Sequence, residues 1–558
     1  MTTVAGRLAL AALVLWLVLI HPNHPEAMTW GALRLFPLEL PAVLAGLVLA
    51  GPGRAGLVLR AALLAWLMAM VALKLADLGT YIAYNRGFNL LVDMHLLGAG
   101  WVLLQGSVGA ALAWTGLIAA LAALGGTAAA LWWAMGVWAR LGARPASPAL
   151  WPRRIAAVTL LPFLAVAVAE IGQARRVWAL PSEMAQAIPG AALTARLGVE
   201  GVALFRDTRA DLTAFRRAAA EDPMLDQGPF FDLLGGRDLI LIYVESYGRS
   251  SFDNPLYAPT HTGTLNRIEA DLAARGLAMR STWATAPMTG GQSWLAHGSL
   301  ASGLWLDTQG RYLSLLASPR RTLFHFAQEA GLRTTALMPA HVFDWPEGGF
   351  FGFDTIHNAA DLGYAGARFN WITMPDQFTL KALERLELDR PDRAPVFAQV
   401  ALVSSHAPWT PVPELVDWDE IGDGTIFNRW AASGDPPETF WHDHDRVREQ
   451  FRLALDYSLQ VVGEWAARQA GNPPLIIALG DHEPARFVAG IDGADVPLHV
   501  IGPPDLVARF DGPRWREGMQ PDAGAEPIRM DALRDLILQA LSSRPAGTAR
   551  LLPGAAPG

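Results

Sequence analysis

The sequence predicts an α/β fold with a mostly parallel central sheet in an exported domain, preceded by an N-terminal transmembrane domain of five helices. Three observations carry this. Apolar stretches crowd the chain before about residue 175. After about residue 178, apolar runs of strand length alternate with helical stretches. Charged residues make up only 17% of the 558, below the roughly 25% usual for soluble proteins, so part of the chain lies outside water.

The expected spans lie near 7–21, 31–50, 55–77, 110–138 and 155–173. Each is close to the roughly 20 apolar residues that cross a bilayer. Pro37 and Pro41 interrupt the second. The first is read as a retained helix rather than a secretion signal, because no clear small-residue cleavage site follows it. Arginines set the orientation. Arg54 and Arg60 lie between the second and third spans, and Arg140, Arg144, Arg153 and Arg154 between the fourth and fifth. The positive-inside rule places these loops in the cytoplasm, so everything after residue 175 is exported. Arg175 and Arg176 run against the rule, which weakens ahead of a long exported domain. The loop at 78–109 holds an apolar run, Leu96 to Leu104, read as an interfacial segment. Asp93 and His95 before it are either lipid-headgroup contacts or structural residues.

The expected domains are 1–178 (membrane), 179–234 (a linker with short helices), 235–541 (catalytic) and 542–558 (a disordered tail). Candidate strands are 238–245, 334–338, 396–404, 474–480 and 496–501. Candidate helices are 262–275, 293–302, 320–331, 376–387, 444–470 and 528–541. Continuous apolar strands separated by helices imply a sheet covered on both faces. Ligands of such sheets gather at the C-terminal strand ends. Three of those ends are Glu245-Ser246, Ser405-His406 and Asp481-His482.

Chemistry follows from these ends. Glu245 offers a carboxylate; Asp481 and His482 offer an oxygen and an imidazole nitrogen to a divalent ion. Between them lies MTGGQSWLAHGSLASG, residues 288–303. Its glycines lead to Ser293 at a helix start, where the helix dipole stabilises an alkoxide. Ser293 is therefore the candidate nucleophile and fourth metal ligand, with Thr289 as its rival. His406 is placed to donate to a phosphoryl oxygen or a leaving group. His442 and His444, in WHDHD, are read as a polar helix start rather than a second metal pair. With no cysteine, disulfides, Cys zinc sites and Cys nucleophiles are excluded. The net charge of −8 argues against a nucleic-acid partner.

Over about residues 237–505 these motifs resemble the alkaline phosphatase superfamily. They are most similar to its sulfatase-like branch of lipoteichoic acid synthases and of phosphoethanolamine and phosphoglycerol transferases. Four motifs occur in order: a strand ending in Glu245, a hydroxyl nucleophile at a helix start, His406-Ala407-Pro408-Trp409, and Asp481-His482. The sulfatase pattern places its nucleophile ten residues before the glycine of L-L-T-G. Here Leu300-Ala301-Ser302-Gly303 fits that ending, and the count lands on Ser293.

The resemblance implies a metal site of Glu245, Ser293, Asp481 and His482 holding Mn, Zn or Mg. It implies Ser293 and His406 as catalytic residues and His341 and Trp345 as substrate-lining residues. It also implies a multi-pass inner-membrane enzyme facing the periplasm or exterior. Such an enzyme moves a phosphoglycerol or phosphoethanolamine headgroup from a membrane phospholipid to a glycan or lipid acceptor through a phospho-serine. Two other readings are a membrane-tethered sulfatase or phosphatase-type hydrolase and a non-catalytic lipid-binding relative. Ser293 is followed by Trp-Leu-Ala-His and lacks the x-Pro-x-Arg that directs formylglycine formation, which favours phosphoryl over sulfate chemistry. Trp345-Pro346-Glu347 replaces the Trp-x-Arg of the lipoteichoic acid synthases.

Overall fold

The computed structural model describes residues 4–84, 86–143, 151–181, 184, 190–434, 439 and 441–543. The chain divides into two compact units, Met1–Asp211 and Leu212–Gly558. Of the tail expected to be disordered, residues 544–558 lie outside the described residues, as does Arg144.

In the first unit a helix stands at each of the five expected spans: Val4–Ile20, Glu39–Ala50, Arg54–Tyr84, Ala110–Leu141 and Trp151–Ala174. Among the described residues only three are long and apolar enough to cross a membrane, over Arg54–Ile82, Ala110–Leu141 and Pro152–Ala174. The expectation of five is corrected to three by length. At about 1.5 Å per residue, the 17 residues of the first helix reach about 26 Å and the 12 of the second about 18 Å. Both fall short of a roughly 30 Å hydrocarbon core. Pro37 lies outside the second helix, in β1 (Phe36–Pro37), which pairs in parallel with β2 (Gly190–Ala191). The long helices expose apolar side chains such as Val58, Ile118 and Leu161, as lipid-facing helices do. The three helices suggest a multi-pass membrane anchor.

Lys74 is buried in this unit. Its Nζ donates to the carbonyls of Val18 and Leu19 and to Thr194 Oγ1, at 3.1, 3.2 and 2.7 Å. The cation thereby satisfies carbonyls left open at a helix C-terminus. Asp93 has a structural role. It accepts from both Arg86 guanidinium nitrogens and from the Asn89 amide. The apolar run after it forms a helix, His95–Val108. Residues expected to form short linker helices instead include one 28-residue helix, Leu193–Ala220.

The second unit is built on a sheet of nine strands among the described residues. They are β3 (Leu239–Val244), β4 (Ala278–Thr285), β5 (Arg333–Met338), β6 (Thr355–Asn358), β7 (Val396–Ala401), β8 (Leu475–Gly480), β9 (Asp495–Gly502), β10 (Arg516–Glu517) and β11 (Ile528–Arg529). The order is β10-β4-β9-β8-β3-β7-β5-β6, with β11 beside β4. From β8 to β6 the strands are parallel. β9 is antiparallel to β8 and β4, and so is β10 to β4. The sheet is therefore mixed and mostly parallel.

Every residue of β3, β7 and β8 is buried, which explains their unbroken apolar sequence. Alternate residues serve opposite faces. Ile240 and Ile242 pack with Phe451, Leu455 and Trp465 of the helix His444–Arg468. Leu239 and Leu241 join Leu295, Leu300 and Phe324 on the other face.

At the start of β3, Asp238 receives both Arg393 guanidinium nitrogens at 2.6 and 2.7 Å and the Val396 amide at 2.8 Å. This clamps β3 to β7 at the end where both begin. At the opposite end, a Cβ on Gly480 would lie 1.8 Å from the Tyr247 carbonyl oxygen. Only glycine lets that loop cross the end of β8. Residues 528–541, expected to be one helix, begin as β11 and become helical at Leu533–Ala540.

Candidate active site

Strand register assembles the site. Val244 pairs with Gly480, so the next residues on the two strands, Glu245 and Asp481, stand side by side. His482 follows. Ligand atoms of Glu245, Asp481 and His482 all lie within 4.8 Å of one another, and all three residues are buried. The loop into Ser293 turns through left-handed backbone at Gly290, Gly291 and Gln292 (φ 75°, 137° and 65°). The helix Ser293–Ser302 then begins at Ser293. Its hydroxyl donates to Glu245 Oε2 at 3.3 Å. Thr289 is exposed and is held in a backbone bridge to Glu483.

The supports of this cluster are backbone groups and hydroxyls. Asp481 Oδ1 accepts the amides of Ser246 and His482 at 2.9 and 2.8 Å. Ser405 Oγ donates to the Glu245 carbonyl at 2.6 Å. His482 Nδ1 donates to the Glu483 carbonyl at 3.0 Å. Its Nε2 has no hydrogen bond, although it lies 3.3 Å from Glu245 Oε1 and 3.7 Å from Asp481 Oδ2.

Burial and the neighbouring Glu245 charge push Asp481 above the usual carboxylate range. Burial raises Glu245 too, but His482 and His406 outweigh it and hold Glu245 low. Burial lowers His482, and the two carboxylates overcome this and raise it to about 10. Two buried carboxylates thus demand a cation beside them. The donor set of two carboxylates, one imidazole with a free nitrogen and one hydroxyl fits a divalent metal. The Glu483 carbonyl fixes the imidazole tautomer as metal ligation requires. The buried cluster is consistent with a metal site.

A cavity of about 430 Å³ opens over the cluster. Glu245, Ser293 and Asp481 line it, and so do His341, Trp345 and His406. His406 is exposed and directs Nδ1 to the Ala407 carbonyl at 2.6 Å, which leaves Nε2 for a ligand. His341 meets Trp345 edge to face at 5.2 Å, and Trp345 packs on Phe351 at 5.5 Å. His442 and His444 stand apart and exposed. Asp443 between them caps the helix by accepting the Asp445 and Arg446 amides.

The lining residues not singled out from sequence include Tyr243, His297, Tyr312 and Gln399. His297 follows Ser293 by four residues on one helix, and Tyr243 precedes Glu245 by two on one strand. Each therefore shares a face with its partner, a signal the sequence contains. Their rings stack at 3.9 Å. Burial lowers His297 to about 3, so it is a neutral imidazole.

Residues 237–497 match the Sulfatase family. Among solved structures, the lipoteichoic acid synthase LtaP from Listeria monocytogenes matches at 13% identity, over 52% of this chain and 70% of that one, with a TM-score of 0.34. The phosphoglycerol transferase GacH from Streptococcus pyogenes matches at 13% identity, over 60% and 82%, with a TM-score of 0.35. The periplasmic domain of phosphoethanolamine transferase EptC from Campylobacter jejuni matches at 11% identity, over 54% and 88%, with a TM-score of 0.35. No curated protein matches the sequence.

Proposed function

We propose that this chain, a sulfatase-family enzyme of the alkaline phosphatase superfamily, transfers a phospholipid headgroup of the phosphoglycerol or phosphoethanolamine type to a glycan or lipid acceptor. The observation that carries the reading is the Ser293 hydroxyl, 3.3 Å from Glu245 in a buried cluster with Asp481 and His482. Glu245, Ser293, Asp481 and His482 would hold one Mn²⁺, Zn²⁺ or Mg²⁺, which supplies charge neutralisation at the phosphoryl oxygens.

The reaction has two displacements. Ser293 Oγ attacks the headgroup phosphorus, and the bond from phosphorus to the diacylglycerol oxygen breaks. The departing oxygen takes a proton that His406 would give, and the proton that Ser293 sheds on attack makes good the one His406 gives, so the step is neutral in protons. An acceptor hydroxyl then attacks the phospho-serine, its P–O bond forms, and the Ser293 P–O bond breaks. The proton lost by the acceptor balances the one returned to Ser293. His341 and Trp345 orient the headgroup from the cavity wall.

The membrane anchor supports a lipid donor. Tethering the catalytic domain to a membrane raises the local concentration of phospholipid available to it. Three spans are odd in number, as five would be, so cytoplasmic Arg54 and Arg140 still leave the catalytic domain outside the cell membrane. That side lacks a ready supply of nucleotide donors, whereas phospholipids are at hand.

The test is intact mass of the purified protein after incubation with mixed bacterial phospholipids and metal, comparing wild type with Ser293→Ala. A headgroup-phosphate adduct on wild type alone supports the reading. Labelled headgroup phosphate recovered only in water, with candidate acceptors present, would sink transfer in favour of hydrolysis.

A further inference from the structure

We propose, resting on the transfer reading above, that Asp376 is the positioning residue that aims His406 at the departing oxygen. His406 is exposed, and its ring donates within its own turn, from Nδ1 to the Ala407 carbonyl at 2.6 Å. The imidazole therefore goes where the turn goes. That turn, residues 403–406, closes with the His406 amide on the Val403 carbonyl at 3.0 Å. Val403 and His406 both line the cavity.

Asp376 opens the helix Asp376–Leu383 and is fully buried. A buried carboxylate is costly unless its oxygens are bonded, and here one oxygen is committed to this turn. Oδ1 accepts the amides of Val403 and Ser404 at 2.7 and 2.9 Å. Oδ2 accepts the Ser458 hydroxyl at 2.6 Å. In return, Ser404 Oγ accepts the Asp376 amide at 2.9 Å. Two successive amides on one oxygen fix two successive peptide planes. The reciprocal bond sets the distance between the helix start and the turn.

The other side of the turn is held separately. Ser405 Oγ donates to the Glu245 carbonyl at 2.6 Å, and Trp409 Nε1 donates to the Ser405 carbonyl at 2.7 Å. These bonds do not involve Asp376. Loss of the Asp376 carboxylate frees the two amides leading into His406 while Ser405 still meets the strand end that bears Glu245. The defect should therefore fall on proton donation and spare the metal cluster.

The experiment uses the full-length protein in detergent with Mn²⁺ and two probes. One is a 4-nitrophenyl phosphodiester, whose leaving group departs without a proton. The other is phosphatidylethanolamine and phosphatidylglycerol in mixed micelles, whose diacylglycerol oxygen needs one. A general acid contributes about 100- to 10,000-fold. The reference variant His406→Asn is thus expected to lose at least about a hundredfold more on lipid than on the ester. Asp376→Ala is expected to lose at least about tenfold more on lipid than on the ester, because a misplaced group forfeits part of its effect. Its bound Mn²⁺ should match wild type. Asp376→Asn, whose side-chain oxygen still accepts both amides, is expected to recover most of the loss.

A residue that only supports the fold lowers both probes together. Equal losses in Asp376→Ala, beside a selective loss in His406→Asn, would overturn the positioning role and leave His406 as the acid. Asp376→Asn as impaired as Asp376→Ala would overturn it as well. Should Asp376→Ala fail to fold, Ser404→Ala removes only the hydroxyl on the Asp376 amide. It is expected to show the same selectivity at about threefold, and equal losses there would count against the role. Equal losses in His406→Asn would mean that His406 is not the acid, and the role of Asp376 falls with it. A wild-type protein that turns over the ester and no lipid would show instead that headgroup transfer itself is wrong.

Discussion

Ser293 Oγ and Glu245 Oε2, 48 positions apart in the chain, meet at 3.3 Å, where the start of a helix faces the end of a strand. Removing the hydroxyl removes the proposed nucleophile and leaves the fold. Ser293→Ala is expected to lower turnover by at least about a thousandfold, the usual scale for a lost nucleophile. Thr289→Ala is expected to retain most activity, because Thr289 is exposed and held through its backbone. Steady-state rates of both variants check this; a silent Thr289→Ala beside an active Ser293→Ala would reverse the assignment.

Metal content should follow the carboxylates. Glu245→Ala and Asp481→Ala are each expected to leave the purified protein with far less than one bound divalent ion, since each deletes one of few ligands around a buried imidazole. Elemental analysis after desalting reads this directly. A full equivalent of metal in both variants would place the ion elsewhere.

The close crossing at Gly480 predicts a packing defect. In Gly480→Ala the new methyl collides with the Tyr247 carbonyl, and Gly480 directly precedes Asp481 of the candidate metal cluster. Such overpacking costs about 1–3 kcal/mol. Thermal unfolding of the full protein in detergent is expected to shift downward, with metal affinity reduced alongside. Wild-type melting would show that the loop moves aside freely.

Acid sensitivity has a local source away from the site. Glu387 accepts from His357 at 2.7 Å and from Arg333 at 2.7 Å. Burial raises its pKa, but these partners overcome burial and lower it from 4.5 to about 2. A carboxylate depressed on folding stabilises above its unfolded pKa and loses that contribution as pH falls through its folded one. The loss is therefore expected between about pH 4.5 and 2. Glu387→Gln should be less stable near neutrality and flatter across that window. Denaturation midpoints at several pH values decide it, and parallel curves for the two proteins would rule the network out.

Strands with both faces buried were legible because nothing in them is polar: β3, β7 and β8 read as continuous apolar runs. β4 was missed. Its sequence AMRSTWAT carries Arg280 and Ser281, yet Ser281 is buried because its hydroxyl bonds to His499 and to the Gly518 carbonyl. Tertiary partners outside any local window thus made a polar stretch into a strand. β9 was found, but its antiparallel direction depends on chain paths that its own residues do not encode. The cluster was legible where ligands end strands. His297 and Tyr243 share faces with Ser293 and Glu245 and could have been found by that spacing, but spacing alone does not tell a side chain that lines a cavity from one that packs in a core. Span number failed on length: apolar composition marks a stretch, while proline and glycine decide how much of it stays helical.

The clamp of Asp238 on Arg393 and Val396 stands where β3 and β7 begin, and the candidate metal cluster stands where β3 and β8 finish. Fastening and reactivity therefore occupy opposite rims of one sheet, separated by the length of a six-residue strand. Over evolutionary time that separation frees one rim to vary. Loops bearing His341, Glu347 and His406 can be exchanged to reshape the cavity they line without loosening the knot beneath them, so the cavity can change faster than the scaffold loses its shape.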